Sequence, residues 1–215
     1  MQEEMGERDL KDRLALIESM IAEGRRSTES WGWVFVLWGV AYYVAIAWAS
    51  WGGGASVWGH QSVRVGSVHS GLAWPVTMFC GAALTLWIGL RRGRRQPGTA
   101  IGRAVTSVWI GIGGSMLVLF PALSASGRMD GHSFVALVAG MLGAANAGSG
   151  LILRWKMQLA CALVWWAAAV AACFGTVSQA VVVFLVAVFL CQIAFGVYAM
   201  MLEARRRGRE GLAHA

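Results

Sequence analysis

Residues 24–43 read GRRSTESWGWVFVLWGVAYY, and this stretch decides the fold of the chain. Within a few positions the sequence passes from two arginines and a glutamate to an uncharged, aromatic-rich run that extends from Trp31 to Trp51. A helix rises about 1.5 Å per residue, so a run of this length can cross about 30 Å of hydrocarbon. The stretch therefore predicts the point at which a cytoplasmic segment enters a lipid bilayer.

The whole chain has the composition of a multi-pass membrane protein. Only 13% of its 215 residues are charged and 57% are hydrophobic, whereas a soluble domain carries about 25% charged residues. Lipid offers the backbone no hydrogen-bond partner, so each long apolar run must be helical. We predict an all-α membrane protein, a six-transmembrane-helix bundle preceded by an amphipathic cytoplasmic N-terminal helix. The predicted spans are Trp31–Trp51, Ser70–Leu90, Ala104–Ser124, Ser133–Leu153, Met157–Phe174 and Gln179–Leu202.

The basic residues orient this arrangement. Residues 1–30 form the predicted cytoplasmic helix, residues 31–202 the transmembrane domain, and residues 203–215 a basic cytoplasmic tail. Sixteen of the 18 lysines and arginines lie in the N-terminal segment, the second and fourth loops and the tail. Because lysine and arginine stay on the cytoplasmic side, we predict that both termini are cytoplasmic. The same placement accounts for the net charge of +7 without a nucleic-acid partner.

The N-terminal segment carries an apolar stripe. Leu10, Leu14, Ile17 and Ile21 are spaced so that they share one face of a helix. The stripe could form a short coiled-coil seam for a cytoplasmic protein partner or for self-association. It could instead dock on the lipid surface or on the base of the bundle. Fewer than three good heptads are present, which favours docking on lipid or on the protein itself.

The predicted spans carry deep polar residues but no deep charges. Proton relays and most intramembrane catalysts need ionisable groups at depth, so this pattern argues against both. Asn146 and Gln192 are two neutral amides that we expect at a similar depth. We hypothesise hydrogen bonds across a helix interface, with Ser115 or Thr85 as partners, that hold helices together. A path for a substrate or ion is the other interpretation of the same residues.

The sequence contains three other groups of candidate residues: a basic cluster, three histidines and four cysteines. A basic cluster in the second loop is expected to contact lipid headgroups; its members are Arg91, Arg92, Arg94 and Arg95. Three histidines, His60, His69 and His132, fall on the predicted outer side without the spacing of metal ligands. The four cysteines lie inside apolar runs and behave there as small hydrophobic residues. The sequence therefore predicts no metal, no cofactor and no catalytic residue.

The stretch RLALIESMIAEGRRSTESWGWVFVLWGVAYY, residues 13–43, resembles the opening of small six-span bacterial inner-membrane proteins. In that group too, a short charged helix leads into a tryptophan-rich first span. The resemblance implies a bacterial inner membrane but supplies no site residues. From the residues themselves we expect a non-enzymatic regulatory or scaffold component. The alternative is a small transporter or channel for a neutral or lipid-like solute.

Overall fold

The computed structural model describes residues 2–29, 31–51, 68–93, 100–126, 128 and 130–213, and all regular structure within these ranges is helical. A π-helical segment, Phe189–Ala194, joins the last two helices without a break. The α-helices are α1 Gln2–Glu29, α2 Gly32–Trp51, α3 Val68–Gly93, α4 Ala100–Ala125, α5 Gly131–Ile152, α6 Lys156–Phe174, α7 Val177–Val188 and α8 Phe195–Ala213.

Six stretches of the described chain are long and apolar enough to cross a membrane, which confirms the predicted all-α membrane bundle. They are Gly32–Ala49, Ala73–Arg91, Ala100–Leu123, Gly131–Ile152, Lys156–Phe174 and Val177–Arg209. Each predicted span falls on one of them. The main difference is at the C-terminus, where α8 continues as a helix to Ala213 instead of ending near Leu202.

Helices α5 and α6 form a tight hairpin at the centre of the bundle. A Cβ placed on Gly143 would overlap the indole of Trp166, and one on Gly150 would lie 2.9 Å from the side chain of Leu159. These glycines therefore let the two backbones approach closely. The turn ends with Arg154 at φ 49°, a left-handed conformation that is uncommon for a residue other than glycine.

Helix α2 packs with similar closeness against α8. A Cβ on Gly196 would lie 2.7 Å from the carbonyl oxygen of Gly32, and a Cβ on Gly32 would lie 2.8 Å from the carbonyl oxygen of Gly196. One turn further into the bundle, the ring of Phe35 packs edge-on against Phe195, with ring centroids 5.0 Å apart. The contact therefore alternates small residues, which set the distance, with aromatic rings that fill the space between helices.

Polar side chains cap the helices at the opposite end of the bundle from α1. The carboxylate of Asp130 accepts a hydrogen bond of 2.7 Å from the Ser133 N–H at the start of α5. This bond holds the pKa of the Asp130 carboxyl below its usual value. At the start of α7, Thr176 and Gln179 form a reciprocal capping box. Both caps pair backbone groups that a helix end leaves without partners.

Helices α3 and α4 present much of the exposed apolar surface. Their large exposed side chains include Phe79, Leu86, Leu117 and Val118. A soluble protein rarely exposes so continuous an apolar surface, but lipid is a suitable solvent for it. The core lies instead between α2, α5, α6 and the last span, around the fully buried rings of Trp165 and Phe184.

Two glycine-to-alanine variants test the close contact between α2 and α8. We expect Gly196→Ala to lower the free energy of unfolding by about 1–3 kcal/mol, because the new methyl overlaps backbone atoms that cannot turn away. The matched variant Gly113→Ala adds the same methyl to α4, where no atom lies within 4 Å. It should be neutral or stabilise by up to about 1 kcal/mol through helix propensity. Thermal unfolding in detergent measures both, and equal effects would contradict the proposed contact.

Candidate functional site

Four uncharged polar side chains are buried together in the core. Asn146 and Ser149 belong to α5, Gln158 belongs to the first turn of α6, and Gln192 belongs to the π segment. Each is at most 2% exposed. Asn146 lies fifteen residues after Gly131 and Gln192 fifteen residues after Val177, the first residues of their spans, and their similar depth in a membrane stays a prediction.

On α5, the polar atoms are only partly paired. Asn146 Nδ2 donates a hydrogen bond of 2.8 Å to the Leu142 carbonyl oxygen of its own helix. Asn146 Oδ1 and Ser149 Oγ have no hydrogen-bond partner within the described residues. The two residues are three positions apart, so their side chains share one face of the helix. This face presents two hydrogen-bond acceptors, and the serine hydroxyl can also donate.

On α6, Gln158 and Trp165 share a face because they lie seven residues apart. Both side chains are fully buried. Within the part of the chain that the structure describes, neither atom of the Gln158 amide nor the Trp165 indole N–H has a hydrogen-bond partner. Leaving a buried polar group without a partner costs about 1–3 kcal/mol. Several such groups in one region are therefore unusual, and they identify this region as a candidate site.

Contacts between the helices place Ser149, Gln158 and Gln192 at a similar level, and Trp165 lies seven residues, about 10 Å, further along α6. Trp155 packs on Phe195 with ring centroids 5.0 Å apart, and the Cys191 thiol donates to the Cys161 carbonyl oxygen at 3.5 Å. Gln192 therefore lies level with the first turns of α6, where Gln158 is found. The contact of Gly150 with Leu159 places Ser149 at the same level. We call Asn146, Ser149, Gln158 and Trp165, together with Gln192, the polar cluster.

The other two residues of the sequence hypothesis lie outside this cluster. The Thr85 hydroxyl donates to the Gly81 carbonyl oxygen at 2.8 Å, and the Ser115 hydroxyl donates to the Gly111 carbonyl oxygen at 2.9 Å. Both bonds stay within one helix, and Ser115 is exposed on α4. The structure thus brings Asn146 and Gln192 to a similar depth but directs Thr85 and Ser115 to their own backbones.

Sequence reasoning missed Ser149, Gln158 and Trp165 for identifiable reasons. Gln158 lies next to the predicted span start at Met157, which suggests an interfacial residue rather than a buried one. Trp165 lies well inside a predicted span, where a tryptophan suggests packing between helices. The available signal was spacing, since Asn146 with Ser149 and Gln158 with Trp165 each follow helical periodicity.

A second candidate surface is the apolar stripe of α1. Gly24 anchors the helix, because a Cβ there would lie 2.6 Å from the Ile101 side chain of α4 and 3.2 Å from that of Leu153 in the α5–α6 turn. We call this end of the bundle the α1 end. Glu18, Ile21 and Ala22 line a cleft of about 180 Å³ with Arg154. Further from the anchor, Leu10, Leu14 and Ile17 are 59%, 52% and 52% exposed.

The remaining sequence candidates are only partly described. The Arg91 guanidinium lies 4.0 Å from the centre of the Trp87 ring, where the indole face attracts a cation. The side chain of Arg92, all of Arg94 and Arg95, and His60 lie outside the described residues. His132 Nδ1 lies 2.9 Å from the Ala172 carbonyl oxygen. No group of three metal-ligating side chains occurs among the residues that were described.

The polar cluster has a limited chemistry. Amide, hydroxyl and indole groups donate and accept hydrogen bonds, but they do not exchange protons near neutral pH. The cluster is thus suited to binding an uncharged hydrogen-bonding molecule. The α1 stripe, in contrast, is suited to burying an apolar helix face.

The hydroxyls of Thr85 and Ser115 provide a test of the local bonding. We expect Thr85→Val and Ser115→Ala to change the free energy of unfolding by less than about 0.5 kcal/mol, because each hydroxyl bonds only to a carbonyl of its own helix. Thermal unfolding in detergent is the measurement, and Gly113→Ala is the control for an unrelated substitution at an open position. A loss of more than about 1 kcal/mol in either variant would indicate a bond between helices instead.

Comparison with known proteins assigns no relative to the chain. No protein-family model, curated protein or solved structure matches it. The functional proposals below therefore depend on the residues and contacts described above.

Proposed function

We propose that this protein is a non-enzymatic regulatory or scaffold component of the bacterial inner membrane that holds a cytoplasmic protein through α1. The observation that carries this proposal is the division of α1 into a docked end and an exposed end. Gly24 contacts α4 and the α5–α6 turn, whereas Leu10, Leu14 and Ile17 remain more than half exposed. Three apolar side chains on one helical face are the pattern with which helices enter a hydrophobic groove.

The charge of α1 favours a protein partner over the lipid surface. Residues 2–29 contain eight acidic and five basic residues, and Asp12 and Glu18 are exposed. The cytoplasmic leaflet of a membrane is anionic, so it attracts basic helices and repels an acidic one. An acidic helix also repels a parallel copy of itself. The complementary partner is a helix with an apolar stripe flanked by lysine or arginine.

The interior of the bundle supports a role at the surface. Asn146 is 0% exposed and Gln192 only 2% exposed, so both amides are buried in this structure. The rings of Trp165 and Phe184 fill the neighbouring space, with centroids 5.9 Å apart. With both termini in the cytoplasm, as the positive residues predict, α1 would be available to cytoplasmic proteins.

Site-specific photocrosslinking in intact cells tests this function. A photoreactive amino acid at Leu14 should give a discrete protein adduct, because Leu14 lies in the middle of the stripe. The same amino acid at Ser19, which is exposed on the opposite side of α1, is the matched control and should give little adduct. Mass spectrometry of the adduct should identify a basic amphipathic segment of another protein.

Two outcomes would contradict the proposal. Adducts of Leu14 with lipid alone would mean that α1 lies on the membrane, and adducts with the same chain would mean self-association. Replacing Asp12 and Glu18 with lysine gives a further check, because reversed charges should weaken capture at low salt and have less effect at high salt.

A second function, a small transporter or channel for a neutral solute, is favoured by the polar cluster alone. We expect proteoliposomes to show a glycerol flux above that of empty liposomes if the cluster lines a path, and Asn146→Leu should abolish the excess. Stopped-flow light scattering measures the flux. Leu163→Asn, the reverse exchange at an exposed position of α6, controls for a general effect of exchanging an amide and a leucine in the bundle. A flux equal to that of empty liposomes would exclude glycerol transport.

A further inference from the structure

The last membrane span changes its hydrogen-bond pattern at the π segment, Phe189–Ala194. The Phe195 N–H donates to the Leu190 carbonyl oxygen, five residues back, whereas an α-helix uses the carbonyl four residues back. A turn closed in this way holds about one residue more than an α-helical turn. Such turns are rare within α-helices and occur frequently at functional sites. The span therefore carries one extra residue at this point.

The buried residues of the last span show what the extra residue does. Phe184, Val188, Gln192 and Gly196 are all buried, and they follow one another at intervals of four residues. In a regular α-helix each interval of four turns the side chain by about 40° around the axis, so a row of this kind drifts away from the core. The wider π turn offsets much of that drift. The π segment thus keeps both halves of the span facing the core.

Helix α2 holds the last span at this position. The Tyr43 hydroxyl donates to the Leu185 carbonyl oxygen of α7 at 2.9 Å. The same oxygen accepts the N–H of Phe189, the first residue of the π segment. One turn away on α2, a Cβ on Gly39 would lie 3.0 Å from Cβ of Gln192. One face of α2 therefore contacts the last span just before the π segment and within it.

We infer that the π segment is a hinge in the last span, which Tyr43 holds through the Leu185 carbonyl oxygen and at which α8 moves relative to α7. Release of the tyrosine bond lets the turn exchange between the two hydrogen-bond patterns, and the extra residue is displaced along the span. Helix α8 packs on both α1 and α2, so a movement at the hinge reaches the α1 end. Gln192 lies within the hinge and turns with it. This inference does not depend on the proposed role of α1.

Hydrogen–deuterium exchange of the full chain in detergent tests the hinge, because an amide exchanges when its hydrogen bond opens. We expect Tyr43→Phe to raise the exchange rate of amides 189–194 about three- to ten-fold, the factor that corresponds to an interhelical hydrogen bond in a membrane protein. The amides of α6 are the internal control and should keep their rates. Mass spectrometry of proteolytic peptides measures both.

The matched variant Tyr42→Phe removes a hydroxyl from the neighbouring residue, whose ring packs on Phe184 with centroids 5.6 Å apart. It should leave the exchange of amides 189–194 unchanged. Unchanged exchange in Tyr43→Phe would overturn the inference. An equal rise in the π segment and in α6 would also overturn it, because the bond would then stabilise the whole bundle and not the hinge.

Deletion of one residue provides an independent readout. Removal of Leu190 takes out the extra residue, so the last span should continue as a regular α-helix with both buried faces in place, and the midpoint of thermal unfolding should change little. Val182 of α7 is similarly exposed, 40% against 45% for Leu190, but its deletion turns one half of α7 by about 100° and should lower the midpoint strongly. Equal losses in the two deletions would overturn the inference.

Discussion

The structure depends on one constraint: a polar group in lipid must find its partner within the protein. For the backbone, the constraint is met by helices alone, and it explains why the described chain contains no other regular structure. For side chains, it is met by local bonds, such as those of Thr85 and Ser115 to carbonyls of their own helices. The polar cluster is the place where local bonds do not suffice.

The same constraint decides how much of the fold could be read from the sequence. The span predicted at Ser133–Leu153 is found at Gly131–Ile152, because length and apolarity depend on the lipid and not on neighbouring helices. The face that a helix turns inward depends on its neighbours. Gln158 shows the difference, since its position in the chain suggests an interface, and it is buried only because α5 and the last span pack over the start of α6.

Glycine positions show the same limit in another way. Gly24 follows Ile21 at the next position of the α1 stripe, where a larger apolar residue would have continued a coiled coil. The sequence therefore suggests that the stripe ends there. In the structure the missing side chain allows α1 to approach Ile101 and Leu153, so that the end of the stripe is the anchor of the helix. From the sequence alone, a glycine that ends an apolar stripe cannot be distinguished from a glycine that allows another helix to approach.

The contact at Gly24 also connects the two candidate sites, the α1 stripe and the polar cluster. Leu153, which contacts Gly24, belongs to the turn between α5 and α6, the two helices that carry most of the polar cluster. Its N–H donates to the Ser149 carbonyl oxygen at 2.9 Å. Arg154 beside it lines the cleft against Glu18 and Ile21.

A partner on α1 can influence the polar cluster only if it binds the docked and undocked arrangements of α1 with different affinity. A partner that contacts Leu10, Leu14 and Ile17 alone would leave Gly24 in place. One that also enters the cleft would compete with the α5–α6 turn. Under the proposed function, the position of the partner along α1 would therefore decide between a scaffold and a regulator.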